Sequence, residues 1–219
     1  MKTIDLFAGC GGLSIGFDKV GFKTLGYLDW EKHCINTLKS NFKKNDALFI
    51  HGDIRDVSNG KDKNIDNFLA SFKNNSLDGI IGGPPCQAYS IAGRVRDPNG
   101  MKNDYRNYLF ESYAVFLREL KPLFFVFENV TGLLSAKPNG IPIIENLSRS
   151  FRELGYEIPT IDKNIVIDLA DLGGSQKRKR VIIFGVDVNR VNNPSQTIEK
   201  FYTKLKNQYE APKTVRDAI

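Results

Sequence analysis

The sequence predicts an α/β fold, a doubly wound and mostly parallel sheet covered by helices on both faces. Three observations support this prediction. Short apolar runs of strand length alternate with segments of helical periodicity from the N-terminus to about residue 154. These runs are nearly continuous in apolar residues, as is typical of parallel strands buried on both faces. Two final strand-like runs follow each other without a helix between them, which predicts an antiparallel pair at one edge.

The predicted elements alternate in a regular order. The predicted strands are residues 3–7, 24–28, 48–51, 77–82, 123–128, 157–167 and 180–186. The predicted helices are residues 13–20, 31–41, 65–72, 109–120 and 141–154, with a weaker helical pattern at 198–209. Residues 88–108 interrupt the alternation with a long charged segment, and such segments inside compact domains are usually functional or disordered.

Length and composition describe an ordinary globular chain with a basic balance. A length of 219 residues predicts one main domain, and 41% hydrophobic with 26% charged residues is usual for a soluble protein. The formal net charge of +6 and the pI near 9.1 favour a polyanionic partner such as nucleic acid. A bias towards lysine and asparagine would give the same sum, so charge alone leaves both explanations open.

Cysteine and histidine usage favours a reducing compartment and no metal. Cys10, Cys34 and Cys86 have neither metal-ligand spacing nor a disulfide pattern, and His33 and His51 are the only histidines. No apolar run reaches the ~18 residues of a membrane span, and strand-like residues begin at once without a signal segment. We therefore expect a cytoplasmic protein that uses no metal and enters no membrane.

A cysteine loop follows the predicted fourth strand. Gly83-Pro84-Pro85-Cys86-Gln87 places a thiol at the carboxyl end of that strand, the edge where open α/β sheets bind ligands. The two prolines fix φ and stiffen the loop. A lone cysteine is more often a buried, inert residue, but the prolines, the polar Gln87 and the charged segment that follows favour a nucleophile.

A glycine-rich turn joins the first strand to the first helix. In Asp5-Leu6-Phe7-Ala8-Gly9-Cys10-Gly11-Gly12-Leu13-Ser14, the glycines allow close approach of a ligand to the backbone. Ser14 stands where the dinucleotide-binding fingerprint has its third glycine. A phosphate cradle is therefore the weaker interpretation of this turn.

Acidic residues end the next two predicted strands. Asp29 stands about twenty residues after the glycines, where a carboxylate takes ribose hydroxyls, and Trp30 follows it and can stack on a purine. Asp53 can accept from an exocyclic amine while Ile54 covers the ring. The structural alternatives are a helix cap at Asp29 or Asp53 and a core aromatic at Trp30.

Two further motifs lie in the second half of the chain. Glu128 ends an otherwise apolar predicted strand, and an acidic residue there needs a partner or a function. The basic cluster Gln176-Lys177-Arg178-Lys179-Arg180 precedes the last predicted strand. Such clusters are usually solvated, but strand alternation would place Gln176, Arg178 and Arg180 on one side, towards a phosphate or a base oxygen.

Together these motifs resemble the cytosine-C5 DNA methyltransferases of bacterial type, in the order of that family and from Met1 to Ile219. The glycine turn resembles the family's methyl-donor loop, and the cysteine loop resembles its nucleophile loop. Glu128-Asn129-Val130 is similar to its acid motif and residues 176–180 to its basic motif. Tyr89 departs from the phenylalanine or tryptophan that is more frequent there. The resemblance implies the Rossmann-like sheet of S-adenosylmethionine-dependent methyltransferases.

The resemblance also implies roles for the site residues. Cys86 would attack carbon 6 of a cytosine flipped out of duplex DNA, Glu128 would hold or protonate ring nitrogen 3, and Arg178 or Arg180 would support the base oxygen or a phosphate. S-adenosylmethionine would donate the methyl group. The implied donor contacts are Phe7, Gly9, Gly11, Asp29, Trp30, Asp53 and Ile54, and the implied substrate contacts are Pro85, Gln87, Ser90, Arg94, Arg96 and Gln176.

The resemblance covers only the catalytic part of the family's pattern. We expect residues 1–190 to form the catalytic domain and residues 191–219 to lead towards a target-recognition domain. A second chain could carry that domain. We expect the enzyme to belong to a restriction-modification system. Specific DNA interfaces bury roughly 1,000 to 2,500 Å² of protein surface, so we expect the lone chain to be weak or inactive. The alternatives are a tRNA-directed enzyme, although residues 90–93 look more like the DNA-directed pattern, and a non-catalytic donor-binding or regulatory subunit.

Overall fold

The structure is a computed structural model that describes residues 1–43, 46–58, 62–73, 77–85, 109–137 and 140–218. The chain divides into two compact units. The first comprises Met1–Pro85 and Tyr105–Phe127, and the second comprises Cys86–Asp104 and Glu128–Ile219. Each unit is described by itself below.

The first unit alternates strands and helices as predicted. Its strands are β1 (Lys2–Leu6), β2 (Lys23–Asp29), β3 (Leu48–His51), β4 (Gly79–Gly82) and β5 (Phe124–Val130), whose last three residues belong to the second unit. Its helices are α1 (Gly12–Lys19), α2 (Lys32–Asn41), α3 (Lys63–Lys73) and α4 (Leu109–Leu120), with a 3₁₀ helix at Ile54–Ser58.

These five strands pair in parallel in the order β3-β2-β1-β4-β5. The order in which strands are added reverses between β1 and β4, because β2 and β3 lie on one side of β1 whereas β4 and β5 lie on the other. Ligands of doubly wound sheets bind outside the carboxyl ends of the strands at this reversal. The residues that follow β1, β2, β3 and β4 are therefore the ones to inspect for a site.

Aromatic side chains fill the space between this sheet and its helices. A Cβ on Gly26 of β2 would lie 2.6 Å from the ring of Phe68, so the helix α3 aromatics pack directly on the strand backbone. Tyr113 of α4 is fully buried, and its hydroxyl donates towards the carbonyl oxygens of Ile80 and Val126 at 3.0 and 3.2 Å. A hydroxyl bonded in this way satisfies its polar group inside an apolar core.

In its described residues, the second unit combines an antiparallel ribbon with three α-helices and three short 3₁₀ helices. The α-helices and strands are α5 (Ile143–Glu153), β6 (Tyr156–Glu157), β7 (Val166–Asp168), β8 (Lys179–Asp187), α6 (Pro194–Lys206) and α7 (Val215–Ala218). The 3₁₀ helices are Thr131–Leu134, Lys163–Ile165 and Leu169–Asp171. Strand β8 pairs antiparallel with both β6 and β7. The predicted α/β class, mostly parallel with antiparallel pairing of the last strands, is confirmed.

The prediction of one long strand at residues 157–167 is wrong. Only β6 and β7 are strands, and they pair with opposite ends of β8. Pro159 has no N–H for a strand ladder, and Asp162 accepts from the backbone N–H of Asn164 at 2.7 Å, which starts a 3₁₀ turn. The sequence between the two strands therefore leaves the sheet and returns to it.

Helix α6 packs on β8 within the second unit. The Tyr202 hydroxyl donates to the carbonyl oxygen of Ile182 at 2.7 Å and accepts from the N–H of Phe184 at 3.2 Å. The rings of Phe184 and Phe201 stack with centroids 4.4 Å apart. Residues after 190 thus contribute to the packing of this unit. Among the described residues, no helix is long and apolar enough to cross a membrane.

Candidate active site

The turn after β1 has three backbone conformations of positive φ. Phe7, Gly9 and Gly11 have φ values of 58°, 55° and 87°. A Cβ on Gly11 would lie 2.6 Å from the ring of Phe42, whereas a Cβ on Gly9 would meet nothing within 4 Å. Gly11 is therefore required by packing and conformation, and Gly9 leaves its outer side open for a ligand.

Asp29 ties this turn to the end of β2. Its carboxylate is buried, and Oδ2 accepts from the backbone N–H of Gly9 at 2.8 Å while Oδ1 accepts from that of Glu31 at 2.8 Å. Each oxygen keeps a lone pair, because a carboxylate offers about four acceptor sites. Asp29 can therefore hold the glycine turn and still accept from two ligand hydroxyls.

Trp30 is exposed to solvent on 57% of its surface. It lies outside the core, so the alternative of a core aromatic is wrong. A large exposed aromatic beside a carboxylate gives a flat apolar surface, which suits stacking of a purine base.

Asp53 and Ile54 follow β3, beside the end of β2 where Asp29 lies. The N–H of Gly52 donates to the carbonyl oxygen of Asp29 at 3.1 Å, so the ends of β2 and β3 are joined. Asp53 directly precedes the 3₁₀ helix Ile54–Ser58. Hydrogen bonds from Arg55 lower the pKa of the Asp53 carboxyl. The Ile54 side chain is only 3% exposed, so it presents little surface.

Asp5 is a buried acid that the sequence analysis did not single out. Its Oδ2 accepts from the Ser14 hydroxyl at 2.6 Å, and its Oδ1 has no hydrogen-bond partner among the described residues. Burial, with a smaller contribution from the charge of Asp29, raises the pKa of Asp5 to about 7. The sequence could have indicated that Asp5 is unusual, because an acidic residue within an apolar strand needs a partner or a function as much as one at the end of a strand.

In the second unit, the structure brings Glu128 and Arg180 together. Glu128 lies near the end of β5, and its Oε1 is 2.7 Å from Nε of Arg180 on β8. Both side chains are mostly buried, with 26% and 17% exposure. The acidic end of β5 thus has a partner, which fixes the carboxylate and keeps the guanidinium beside it.

The other members of the basic cluster are exposed. Arg178 donates its backbone N–H to Oδ1 of Asp168 at 3.0 Å, and its side chain faces solvent. Strand β8 begins at Lys179, and Gln176 lies in a bend before it. The prediction that strand alternation places Gln176, Arg178 and Arg180 on one side is therefore wrong, because only Arg180 of the three lies in β8.

The cysteine loop is described only in part. Pro84 is buried and Pro85 is half-buried directly after β4. Cys86, Gln87, Ser90, Arg94 and Arg96 lie outside the described residues.

Two further findings concern ligand sites in the described part of the chain. No group of three or more His, Cys, Asp or Glu side chains there could hold a metal ion. A cavity of about 320 Å³ lies in the second unit between residues 157–165 and α6, and none of the predicted site residues lines it.

The first unit has a doubly wound α/β sheet with acidic side chains after β2 and β3, at the carboxyl edge of the sheet. Residues 1–219 match the family described as C-5 cytosine-specific DNA methylase, and the chain belongs to that family. The family that the sequence motifs predict is thereby confirmed.

Curated relatives and a solved structure agree with this membership. The type II methyltransferase M.Bpa9945I of Bacillus paralicheniformis is 34% identical over 100% of this chain and 60% of its own length. M.AquIA of Picosynechococcus is 33% identical over 100% of this chain and 87% of its own length. A crystal structure of a prophage-encoded E. coli protein, described as a DNA modification methyltransferase, is 32% identical with a TM-score of 0.67 and covers 86% of this chain and 47% of that one. The chain spans about half the length of several curated relatives that it matches, with 60%, 48% and 46% coverage of three of them.

Proposed function

We propose that this chain is the catalytic part of a methyltransferase that modifies carbon 5 of cytosine in duplex DNA, within a restriction-modification system. The observation that carries the proposal is Glu128, an acid near the end of β5 that is held at 2.7 Å by Arg180. This arrangement suits a group that must meet a ring nitrogen in a fixed orientation. Family membership over residues 1–219 supports the same reaction.

The methyl donor of this reaction is S-adenosylmethionine, which supplies an activated methyl group when bound. The first unit offers residues that fit it. Asp29 would take the ribose hydroxyls on its free lone pairs, and Trp30 would stack on the adenine. The donor would lie against Phe7, Gly9 and Gly11. Asp53 and Ile54 would lie at the edge of its adenine.

Cys86 would act as the nucleophile. Its thiolate would form a bond to carbon 6 of the cytosine, and the electron pair of the carbon 5–carbon 6 double bond would shift between carbons 5 and 4 as the carbon 4–nitrogen 3 pair moves onto nitrogen 3, which gives an enamine that is nucleophilic at carbon 5. Carbon 5 would then gain the methyl group, with S-adenosylhomocysteine as the leaving group. A base would remove the hydrogen from carbon 5, and the carbon 5–carbon 6 double bond would re-form as the Cys86 thiolate leaves. Free cysteine has a pKa of about 8.5, so the site must favour the thiolate.

Glu128 and the arginines would support the base during this step. A proton shared between the Glu128 carboxyl and ring nitrogen 3 stabilises the electron density that arrives there. Arg180 orients Glu128 through their ion pair, and Arg178 or Arg180 would offer donors to the base oxygen or a phosphate. Pro85, Gln87, Ser90, Arg94, Arg96 and Gln176 would contact the flipped nucleotide and its neighbours.

Sequence choice would depend on a target-recognition domain. We propose residues 1–190 as the catalytic domain and residues 191–219 as the connection to a target-recognition domain, carried by a continuation of the chain or by a second chain. The relative M.AquIA, of which this chain covers 87%, is a family member of similar length. Its existence supports a functional unit of this size.

Transfer of labelled methyl groups tests the proposal. The chain, alone and mixed with the part of M.Bpa9945I that the match leaves out, would be incubated with methyl-labelled donor and either duplex DNA or tRNA. We expect label at carbon 5 of cytosine in DNA with the mixture, and loss of label with Glu128→Gln but not with Glu153→Gln, an exposed control on α5. Label in tRNA alone would support the tRNA-directed alternative, and donor binding without transfer to either would support a non-catalytic subunit.

A further inference from the structure

One arginine holds the Asp53 carboxylate on both oxygens. The backbone N–H of Arg55 donates to Oδ1 at 3.0 Å, and its Nε donates to Oδ1 and Oδ2 at 3.0 and 2.9 Å. Its Nη2 also bonds Oδ2 in a close ion pair. Planar, forked contact of this kind fixes the orientation of a carboxylate, which a single hydrogen bond does not.

Asp53 lies close in space to the end of β2 that carries Asp29. It follows Gly52, whose N–H bonds the carbonyl oxygen of Asp29, and β3 pairs with β2 so that His51 stands opposite Asp29. The Asp53 side chain is 28% exposed and that of Arg55 is 42% exposed. The pair is therefore a fixed edge that a ligand can still approach.

The hydrogen bonds from Arg55 do not occupy every acceptor site of the Asp53 carboxylate. An ionised carboxylate has about four acceptor sites. Arg55 brings three hydrogens to them, on the backbone nitrogen, Nε and Nη2, and the single hydrogen on Nε is shared between the two oxygens. Because that hydrogen can favour either oxygen, the hydrogen bonds from the described residues leave one acceptor site for one further N–H.

We propose that Arg55 is a positioning residue that makes Asp53 select a donor whose base carries an amino group, as adenine does, over one that carries a carbonyl oxygen there, as hypoxanthine does. The inference rests on the proposed function, since it assumes that Asp53 faces the base of the methyl donor. A fixed carboxylate with acceptor sites only receives the amino N–H and repels a carbonyl oxygen. Without the Arg55 guanidinium the carboxylate keeps only the hydrogen bond from the backbone N–H of residue 55. It can then rotate away from the carbonyl oxygen of the disfavoured base, so the preference between the two bases weakens.

The test compares two nucleoside products that differ in the base: adenine has an amino group on carbon 6, and hypoxanthine has a carbonyl oxygen there and a proton on the adjacent ring nitrogen. Dissociation constants of S-adenosylhomocysteine and S-inosylhomocysteine are measured by calorimetry, or by amide NMR shifts at millimolar ligand, for the wild-type chain and for Arg55→Gln. We expect wild type to prefer the adenosyl compound by about tenfold or more. In Arg55→Gln the ratio of the two constants should fall most of the way to one.

Three further variants sharpen the comparison. Arg118→Gln removes an exposed arginine that pairs with Glu119 on α4, and it should leave the ratio unchanged. Asp53→Asn introduces an amide that can donate to a carbonyl oxygen, so it should favour the inosyl compound. Arg55→Lys keeps the charge but loses the fork, so it should restore only part of the ratio, and it replaces Arg55→Gln if that variant does not fold.

The possible failures are separable. An unchanged ratio in Arg55→Gln, with adenosyl binding retained, would overturn the role of Arg55 and leave the proposed function intact. Absence of binding of either compound by wild type at millimolar concentration would contradict the proposed donor site, and the present inference with it.

Discussion

Individual carboxylates dominate the electrostatics of the described sites, and each is treated differently by its surroundings. Glu128 is paired with an arginine, Asp29 accepts two backbone N–H groups, and Asp53 is held by a forked guanidinium. Asp5 has only the Ser14 hydroxyl and one oxygen without a partner in the described part of the chain. A charge costs least where it is paired and most where it is buried alone, so these residues should respond differently to substitution and to pH.

Loss of Arg180 should destabilise the protein as well as disturb the site. Arg180→Gln would leave the mostly buried Glu128 without its ionic partner, and we expect the free energy of unfolding to fall by about 1–3 kcal/mol. The control is Arg190→Gln, which removes a more exposed pair with Asp187 and should cost less than about 0.5 kcal/mol. Urea denaturation measures both, and equal costs would contradict this account of the ion pair.

The buried Asp5 should make stability fall as pH rises. Its folded pKa of about 7 lies above the ordinary value near 4, so between these pH values the folded state keeps a proton that the unfolded state has lost. Stability from this group is therefore full at low pH and is lost as pH rises towards about 7. Asp5→Asn keeps the shape and accepts from Ser14 but cannot titrate.

Unfolding measured in urea from about pH 4 to about pH 8 tests this directly. The free energy of wild type relative to Asp5→Asn should decrease through that range and level off above about pH 7. A constant difference would show that Asp5 titrates at its ordinary value.

Sequence reasoning could find the residues that end strands but not their partners. Asp29 and Glu128 were predicted because a polar group after an apolar strand stands out in the sequence. Their partners, Gly9 and Arg180, are 20 and 52 positions away, and only the pairing of the strands brings them near. Arg55 was missed because its contact with Asp53 depends on a local 3₁₀ turn.

At the scale of elements, the turn between β1 and α1 connects the sheet to the ligand edge. Its Gly11 N–H donates to the carbonyl oxygen of Ala8 at 2.9 Å, and the Asn41 side chain of α2 donates to the carbonyl oxygen of Cys10 at 3.0 Å. The turn is thus clamped between its own backbone and α2. Changes that separate it from α2 should affect folding and donor binding together.

Two neighbouring glycines provide a matched test of this clamp. Gly11→Ala would place a Cβ 2.6 Å from Phe42 and 2.9 Å from Leu38 at a φ of 87°, so we expect a loss of about 1–3 kcal/mol and weaker donor binding. Gly12→Ala meets nothing within 4 Å at the start of α1 and should be neutral or stabilising by up to about 1 kcal/mol. Thermal unfolding and calorimetry with the donor would show this contrast, and similar behaviour of the two variants would refute it.

The alternation of strand-like and helix-like apolar patterns predicts most of the strands and helices, but it fails for the region of β6 and β7. The ribbon of β6, β7 and β8 was predicted with one strand too few, because residues 158–165 are apolar enough to read as strand. The structure shows a proline and a capped 3₁₀ turn there. Local turn chemistry outweighed apolar content.

At the scale of the whole molecule, the chain is a family member that covers only part of most relatives. It matches 60% of M.Bpa9945I and 48% of M.NgoPII from Neisseria gonorrhoeae. The basic balance of +6 favours DNA, but the exposed cluster before β8 offers few residues that could read bases. Charge without base contacts gives binding that is weak, salt-sensitive and indifferent to sequence.

The lone chain should therefore bind duplex DNA through charge alone. In fluorescence anisotropy, affinity should be the same for unrelated duplexes and should fall steeply with salt. Lys177→Gln should reduce the slope of log affinity against log salt by about one, whereas Lys19→Gln, an exposed residue of α1 in the first unit, should not change it. Tight binding to one sequence would contradict the need for a further recognition domain.

The most direct test of the proposed chemistry is the covalent bond to cytosine. In 5-fluorocytosine a fluorine replaces the hydrogen on carbon 5, and a base cannot remove it, so the covalent adduct is trapped. Duplex DNA containing this base would be incubated with S-adenosylmethionine, the chain and the part of M.Bpa9945I that the match leaves out. Denaturing electrophoresis and mass spectrometry should show a protein–DNA adduct at Cys86 that is lost in Cys86→Ser and retained in Cys34→Ser, a control thiol whose pKa burial raises to about 11. An adduct that survives Cys86→Ser, or none with the intact cysteine, would contradict the account.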